Sequence, residues 1–223
     1  SKDMKKTLTK IKRKDVNELH AELGHPREDV TRATGTLLGY KVMGKFAPCK
    51  DCAICKAKQT KTIKVPIERS KKKGECPFLD ISFPQTTSIG GKKHWLIVLD
   101  DCTGLAWSYF LKNKSNLKDE ILALIKELKA KFGITVKYIR CDNAGENLAL
   151  EKACEQEGLG IYFEYTAPNT PQQNGRVERK FATLYGRMRA MMRGSGLRGL
   201  IRQRLWAEAA KTATDLSNIL VKN

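Results

Sequence analysis

Acidic residues are scarce in this chain. Of 223 residues, 24 are Asp or Glu and 42 are Lys or Arg, which leaves a net charge of +18. An excess of that size points to a polyanionic partner and carries no information about fold. Histidine is rarer still, with three residues in all. No apolar run approaches the length of a bilayer span and no signal peptide opens the chain, so no membrane association is expected. The seven cysteines are odd in number, and three of them crowd into Cys49–Cys55. That pattern argues against a secreted disulfide framework and for an intracellular protein with a metal site. The chain opens on Ser1 rather than Met and stops at Asn223, which suggests a piece of a longer polypeptide.

The charge is uneven. Up to Lys73 there are 20 basic and 8 acidic residues, and beyond it 22 and 16. A basic front is thus expected to precede a less basic second part. Residues 1–14 read as a basic tail. Residues 59–75 read as a basic linker whose lysines can track a phosphate backbone.

Two of the three histidines, His20 and His25, are separated by four residues, and CAIC (Cys52 to Cys55) follows twenty-six residues later. Two imidazoles and two thiolates fill a tetrahedral zinc sphere and leave no open position, which marks a structural site. A segment this small has little core of its own, so the metal supplies much of its folding free energy. The expected ligands are His20, His25, Cys52 and Cys55. Cys49 extends the run to CxxCxxC, so a different pair of sulfurs remains open.

Where acids do occur in the second part, three stand out. VKYIRCDNAGEN is a β-branched run ending in Asp142, and PNTPQQNGRVERK is a turn-rich loop entering a basic helix that carries Glu178. Asp80 ends the apolar run Pro77-Phe78-Leu79. Carboxylates placed after strands and on a helix suit shared coordination of hard divalent cations, which assist phosphoryl transfer. Asp100 and Asp101 are rivals at the end of another strand, where acids commonly cap turns. Glu178 is the sole acid among nine Arg or Lys between Arg176 and Arg204.

The periodicities predict strands over PFLDISF, HWLIVLDDCTG, LAWSYFL, ITVKYIRCD and IYFEYTA. They predict helices over SNLKDEILALIKELKAKFG, from Asn143 to about Glu157 with Glu146 as the far half of a capping box, and from about Gln173 to Met192. A last amphipathic helix is expected over LIRQRLWAEAAKTATDLSNIL. On the Gln173–Met192 helix, Val177, Phe181, Leu184, Met188 and Met191 form the core stripe, with Glu178 at its edge. The fold class is therefore α/β, a mixed sheet with flanking helices.

ELHAELGHP, CAIC, WLIVLDDCTG, CDNAGE and above all TPQQNGRVERKFATL resemble the integrases of copia-type LTR retrotransposons, from about Glu18 to Val221. The resemblance implies a ribonuclease H-like core over residues 76–223 with the acids Asp80, Asp142 and Glu178, preceded by a small helical HHCC zinc-binding domain over residues 15–58. Ser82-Phe83-Pro84 and Ala144 depart from the family pattern, but no ligand is lost. The resemblance leads to the expectation that the family's C-terminal DNA-binding region is not part of this stretch. The implied activity is DNA 3′-end processing and strand transfer of element cDNA into target DNA, with two catalytic Mg²⁺ or Mn²⁺ ions and a structural Zn²⁺. The implied partners are double-stranded element ends and target DNA, and further copies of the chain in a homo-oligomer acting in the nucleus. Gln172, Gln173, Asn174, Arg176, Arg179 and Lys180 are the expected DNA contacts. A catalytically silent nucleic-acid-binding or scaffolding module is the other reading, and a ribonuclease H-type hydrolase a third.

Overall fold

The computed structural model describes residues 12–55, 70–166 and 171–220. Most of the basic tail and linker therefore lies outside the described residues.

The N-terminal part is small. Strand β1 (Lys12–Asp15) pairs in parallel with β2 (Tyr40–Met43), and between them run α1 (Val16–Glu22) and α2 (Glu28–Leu37). Asp15 caps α1 by accepting from the amides of Asn17 and Glu18, which holds its carboxyl below the usual range. The packing is close: a Cβ on Gly35 would lie 2.5 Å from both Leu19 and Val42. A short helix, α3 (Lys50–Cys55), follows. The module is thus helical, as expected, with a two-stranded parallel pair added.

The second part is a five-stranded mixed sheet. In chain order its strands are β3 (Pro77–Ser82), β4 (His94–Asp100), β5 (Ala106–Leu111), β6 (Tyr138–Asp142) and β7 (Tyr162–Thr166), and in space they run β5-β4-β3-β6-β7. The first three form an antiparallel meander, while β6 and β7 lie parallel to β3. Successive strand residues point to opposite faces, so each central strand feeds two cores. Leu79, Leu96, Val98, Ile139 and Cys141 face α4 (Leu117–Phe132) and α5 (Gly145–Gln156). Phe78, Trp95, Ile97 and Leu99 face α6 (Pro171–Gly194) and α8 (Trp206–Ile219). Each such side chain removed from water stabilises the fold by roughly 1.5–3 kcal/mol. The core stripe Val177, Phe181, Leu184 and Met188 is buried, and Met191 packs against it.

Two expectations need correction. The last helix is broken into α7 (Gly199–Arg204) and α8, with Leu205 between them. The Arg204 carbonyl accepts from the amide of Ile89, in the β3–β4 connection, instead of from the next helical turn. The strand expected from Ile134 begins only at Tyr138, because the amides of Lys137 and Tyr138 are taken by the Glu75 carbonyl.

Candidate functional site

Phe78 on β3 is in register with Arg140 on β6. Asp80 and Asp142 lie two residues further along their parallel strands, at the same level and on the same face as that pair. That face is the one covered by α6. Tyr185, two turns beyond Glu178 on α6, meets Ser82 on β3 with 2.8 Å between the hydroxyl oxygens. The α6 stripe holding Glu178 and Tyr185 therefore runs along the Asp80–Ser82 end of β3. Burial pushes the Asp80 carboxyl up to about 6; an amide hydrogen bond at Ile81 opposes this, and the charges of Asp142 and Glu178 add to it. Asp80 is half-buried, whereas Asp142 and Glu178 are exposed. Three acids from β3, β6 and α6 thus share one electrostatic field at one end of the sheet.

Asn147 went unnoticed in the sequence. It is 4% exposed and donates through Nδ2 to Asp142 Oδ1 at 2.6 Å and to the Asp142 carbonyl at 3.1 Å. The Ala144 amide also approaches Asp142 Oδ1, at 3.3 Å. One carboxylate oxygen is held from the first turn of α5, while the other is not engaged by these donors. The expected capping box fails here. The cap residue is Ala144, with no side-chain bond, and Glu146 pairs with Lys114 at 3.0 Å. An amide side chain five residues after an acid, at a helix start, was the available signal.

The rival acids serve the scaffold. Asp100 accepts from Gly74 N, Thr103 N and Thr103 Oγ1, holding the β4–β5 turn. Asp101 is 1% exposed and pairs with Arg176 and, at 3.8 Å, with Arg140. The guanidinium of Arg176, an expected DNA contact, anchors the start of α6 to this buried acid. Lys180 donates to Ser217 Oγ on α8 at 2.7 Å, also within the protein. Arg179 is exposed. The side chains of Gln172, Gln173 and Asn174 lie outside the described residues.

The N-terminal module gathers His20, His25, Cys49 and Cys52, one ligand atom from each, all within 4.8 Å of one another. Among the described residues this is the single group of metal-ligating side chains drawn so closely together, and the three acids are not packed to that degree. Cys49 Sγ lies 3.3 Å from His25 Nδ1, and Cys52 Sγ lies 3.4 Å from His20 Nε2. His20 Nδ1 sits 2.8 Å from the Pro26 carbonyl, which fixes the proton there and leaves Nε2 as the donor atom. His25 adopts φ +60°, a left-handed conformation that strains a non-glycine residue and that this cluster holds in place. Cys55 is thereby replaced by Cys49 as the fourth member. Cys49 opens α3, with its carbonyl accepting from Ala53 N, and Cys55 is a turn beyond Cys52, about 4.5 Å further along the axis. Two buried imidazoles and two thiols with no added oxygen donor fit a closed zinc sphere.

No protein-family model matches the chain. It is 29% identical over 202 residues to the retrovirus-related Pol polyprotein from transposon TNT 1-94 of Nicotiana tabacum, covering 89% of this chain and 15% of that protein. It is also 29% identical over 168 residues to the corresponding polyprotein from transposon RE1 of Arabidopsis thaliana, covering 72% of this chain and 11% of that protein. The chain thus spans only a small part of these relatives. Among solved structures it is similar to a chain of the simian T-cell lymphotropic virus intasome in complex with PP2A regulatory subunit B56 gamma, with TM-score 0.52, 19% identity, and coverage of 89% of this chain and 66% of that one. The homologues of this chain thus include retrovirus-related Pol polyproteins of transposons, and its mixed five-stranded sheet with flanking helices is a fold shared with a chain of a retroviral intasome.

Proposed function

We propose that this chain is the zinc-binding and catalytic part of a copia-type retrotransposon integrase, processing the 3′ ends of element cDNA and joining them to target DNA. In this assignment residues 15–58 hold Zn²⁺, residues 59–75 link, and residues 76–223 form the catalytic core. The observation that carries it is the placement of Asp80, Asp142 and Glu178 in one field at the same end of β3, β6 and α6. A half-buried carboxyl is pushed up by burial and by two neighbouring acids, with no opposing cation recorded among the described residues, and hard divalent cations with oxygen ligands fit that need.

Asp80, Asp142 and Glu178 would hold Mg²⁺ or Mn²⁺. Bound there, the ions would supply Lewis acidity to nucleophile and leaving oxygen in an in-line phosphoryl displacement. The remaining work belongs to the chain. Asp80, on the central strand β3, would hold the ions at the middle of the sheet end. Asn147 fixes Oδ1 of Asp142 and so orients Oδ2 toward the cleft. The Arg176–Asp101 pair seats the first turns of α6 and with them Glu178. Arg179, exposed one residue on, is placed to hold a neighbouring phosphate, and the net charge of +18 steers DNA toward the cleft. Water is the nucleophile in end processing and the 3′-hydroxyl of element DNA in joining. Among the described residues no helix is long and apolar enough to cross a membrane. A multimer acting on DNA in the nucleus completes the proposal.

The test is Glu178→Gln, assayed for Mg²⁺- or Mn²⁺-dependent nicking and joining of a labelled DNA end. Activity falls by at least 10³-fold while fold and zinc content stay at parental values. Joining at the parental rate would refute the assignment. Metal-independent binding of DNA with no nicking by the parent would favour a silent binding module.

A further inference from the structure

The C-terminal half of α6 is packed against the zinc module. Asp51 on α3 pairs with Arg193 Nε at 2.9 Å, and a Cβ on Gly194 would lie 3.6 Å from the same carboxylate. A Cβ on Gly24, the residue before His25, would lie 3.5 Å from Met191 Sδ on α6 and 3.1 Å from Leu216 on α8. Positions 187, 191 and 194 fall at i, i+4 and i+7, which is one stripe of a helix. Two of the three touch the zinc module at residues adjoining metal ligands, Gly24 beside His25 and Asp51 beside Cys52.

The third residue on the stripe is Arg187. Its Nη1 is buried with no hydrogen-bond partner among the described residues. A guanidinium is not deprotonated in proteins, and a buried donor left unpaired is destabilising. Burial lowers its pKa, and the Cys52 sulfur, as a negative charge, acts in the opposite direction. A neutral thiol is a poor acceptor. Metal binding turns that thiol into a thiolate, which accepts a charge-assisted hydrogen bond.

We propose that Arg187 is the outer partner of the metal-bound Cys52 thiolate, so that zinc loading of the His20–His25–Cys49–Cys52 site also seats the helix that carries Glu178. The inference rests on the zinc assignment above and goes beyond it. Arg187 is a positioning residue and touches no DNA or reacting atom. Glu178 lies nine residues earlier on the same helix, about 13 Å along its axis. The Arg176–Asp101 pair fixes one end of α6, and Arg187 lies on the stripe that meets the zinc-ligating module near the other, where Arg193 pairs with Asp51. Metal loss thus removes the Arg187 hydrogen bond at the far end, where the Arg193–Asp51 pair remains, and leaves the near end pinned.

The experiment measures zinc affinity by chelator competition on the parent chain, Arg187→Met, Arg187→Lys and the exposed control Arg198→Met, and records the thiolate-to-metal absorption band of each after Co²⁺ substitution. Arg187→Met keeps volume but removes the donors, so its zinc Kd weakens by about 10–100-fold and the band moves. Arg187→Lys retains the charge, so its loss is smaller, and Arg198→Met matches the parent. Parental affinity and an unmoved band in Arg187→Met overturn the inference while the zinc assignment stands. If Arg187→Met does not fold, Arg187→Lys decides, and a parental band and Kd overturn it equally. A parent chain that binds no zinc overturns both.

Discussion

The two candidate metal centres are built on opposite plans. In the zinc module four ligand atoms lie within 4.8 Å of one another, both imidazoles are buried, and no place is left for substrate. At the sheet end one acid is half-buried, two are exposed, and the three repel one another. The first draws its ligands together into a closed, buried set. The second is open, under electrostatic tension without cations, and faces solvent where a phosphate would enter. A closed sphere serves folding and an open one serves chemistry. Electrostatics thus separates what residue type alone does not: the His and Cys side chains converge into a tight cluster, and the converging carboxylates repel one another until a cation or a proton neutralises the charge.

Breaking the closed centre carries the largest expected effect on stability. Cys49→Ser should abolish stoichiometric zinc binding and lower the thermal midpoint by 10 °C or more, whereas Cys55→Ser should retain one zinc per chain. Zinc analysis alongside thermal unfolding separates them, and the reverse ranking would restore Cys55 as the ligand. Structural zinc of this kind contributes on the order of 10 kcal/mol of binding free energy that folding depends on.

Breaking the open centre should do the opposite, costing activity and adding stability. Asp80→Asn should eliminate divalent-dependent nicking and joining yet raise the metal-free midpoint at pH 7. The sign follows from the raised pKa. With a folded value of about 6 against 3.8, the folded state binds this proton more tightly. The contribution to stability is therefore complete below pH 3.8 and is lost as pH rises to about 6, by at most roughly 3 kcal/mol. Metal-free parent should lose stability across that window, and Asp80→Asn should not. The same competition with protons weakens Mn²⁺ binding below about pH 6.

The smallest effect sharpens the picture of the open centre. Asn147→Ala should cost about 10-fold in joining, mainly through weaker divalent binding, while Asn143→Ala should cost little. A metal titration of activity distinguishes the two, and equal losses would deny Asn147 its hold on Asp142.

Local pattern carried much of this into view from the sequence. β3 to β5, α4 and the α6 stripe obey simple periods, and so their residues sit where alternation and 3.6-residue spacing put them. Asp80 and Asp142 stand out as the acids that follow apolar or β-branched runs, and Glu178 as the sole acid between Arg176 and Arg204. What stayed hidden depends on contacts between distant residues. Arg176 reads as a phosphate ligand until Asp101, seventy-five positions away, is seen to pair with it. Three sulfurs at equal spacing cannot be ranked until the histidines are placed around the start of α3. The break at Leu205 follows from a single amide, Ile89, reaching Arg204 from across the fold.

Manganese binding tests the central claim most directly, because it asks whether three distant acids make one cation site. Mn²⁺ titrations followed by EPR compare the zinc-loaded parent with a chain carrying Asp80→Asn, Asp142→Asn and Glu178→Gln together. The account predicts Mn²⁺ bound by the parent, none held by the triple variant, and one zinc per chain in both. Equal manganese binding by the two proteins would contradict it.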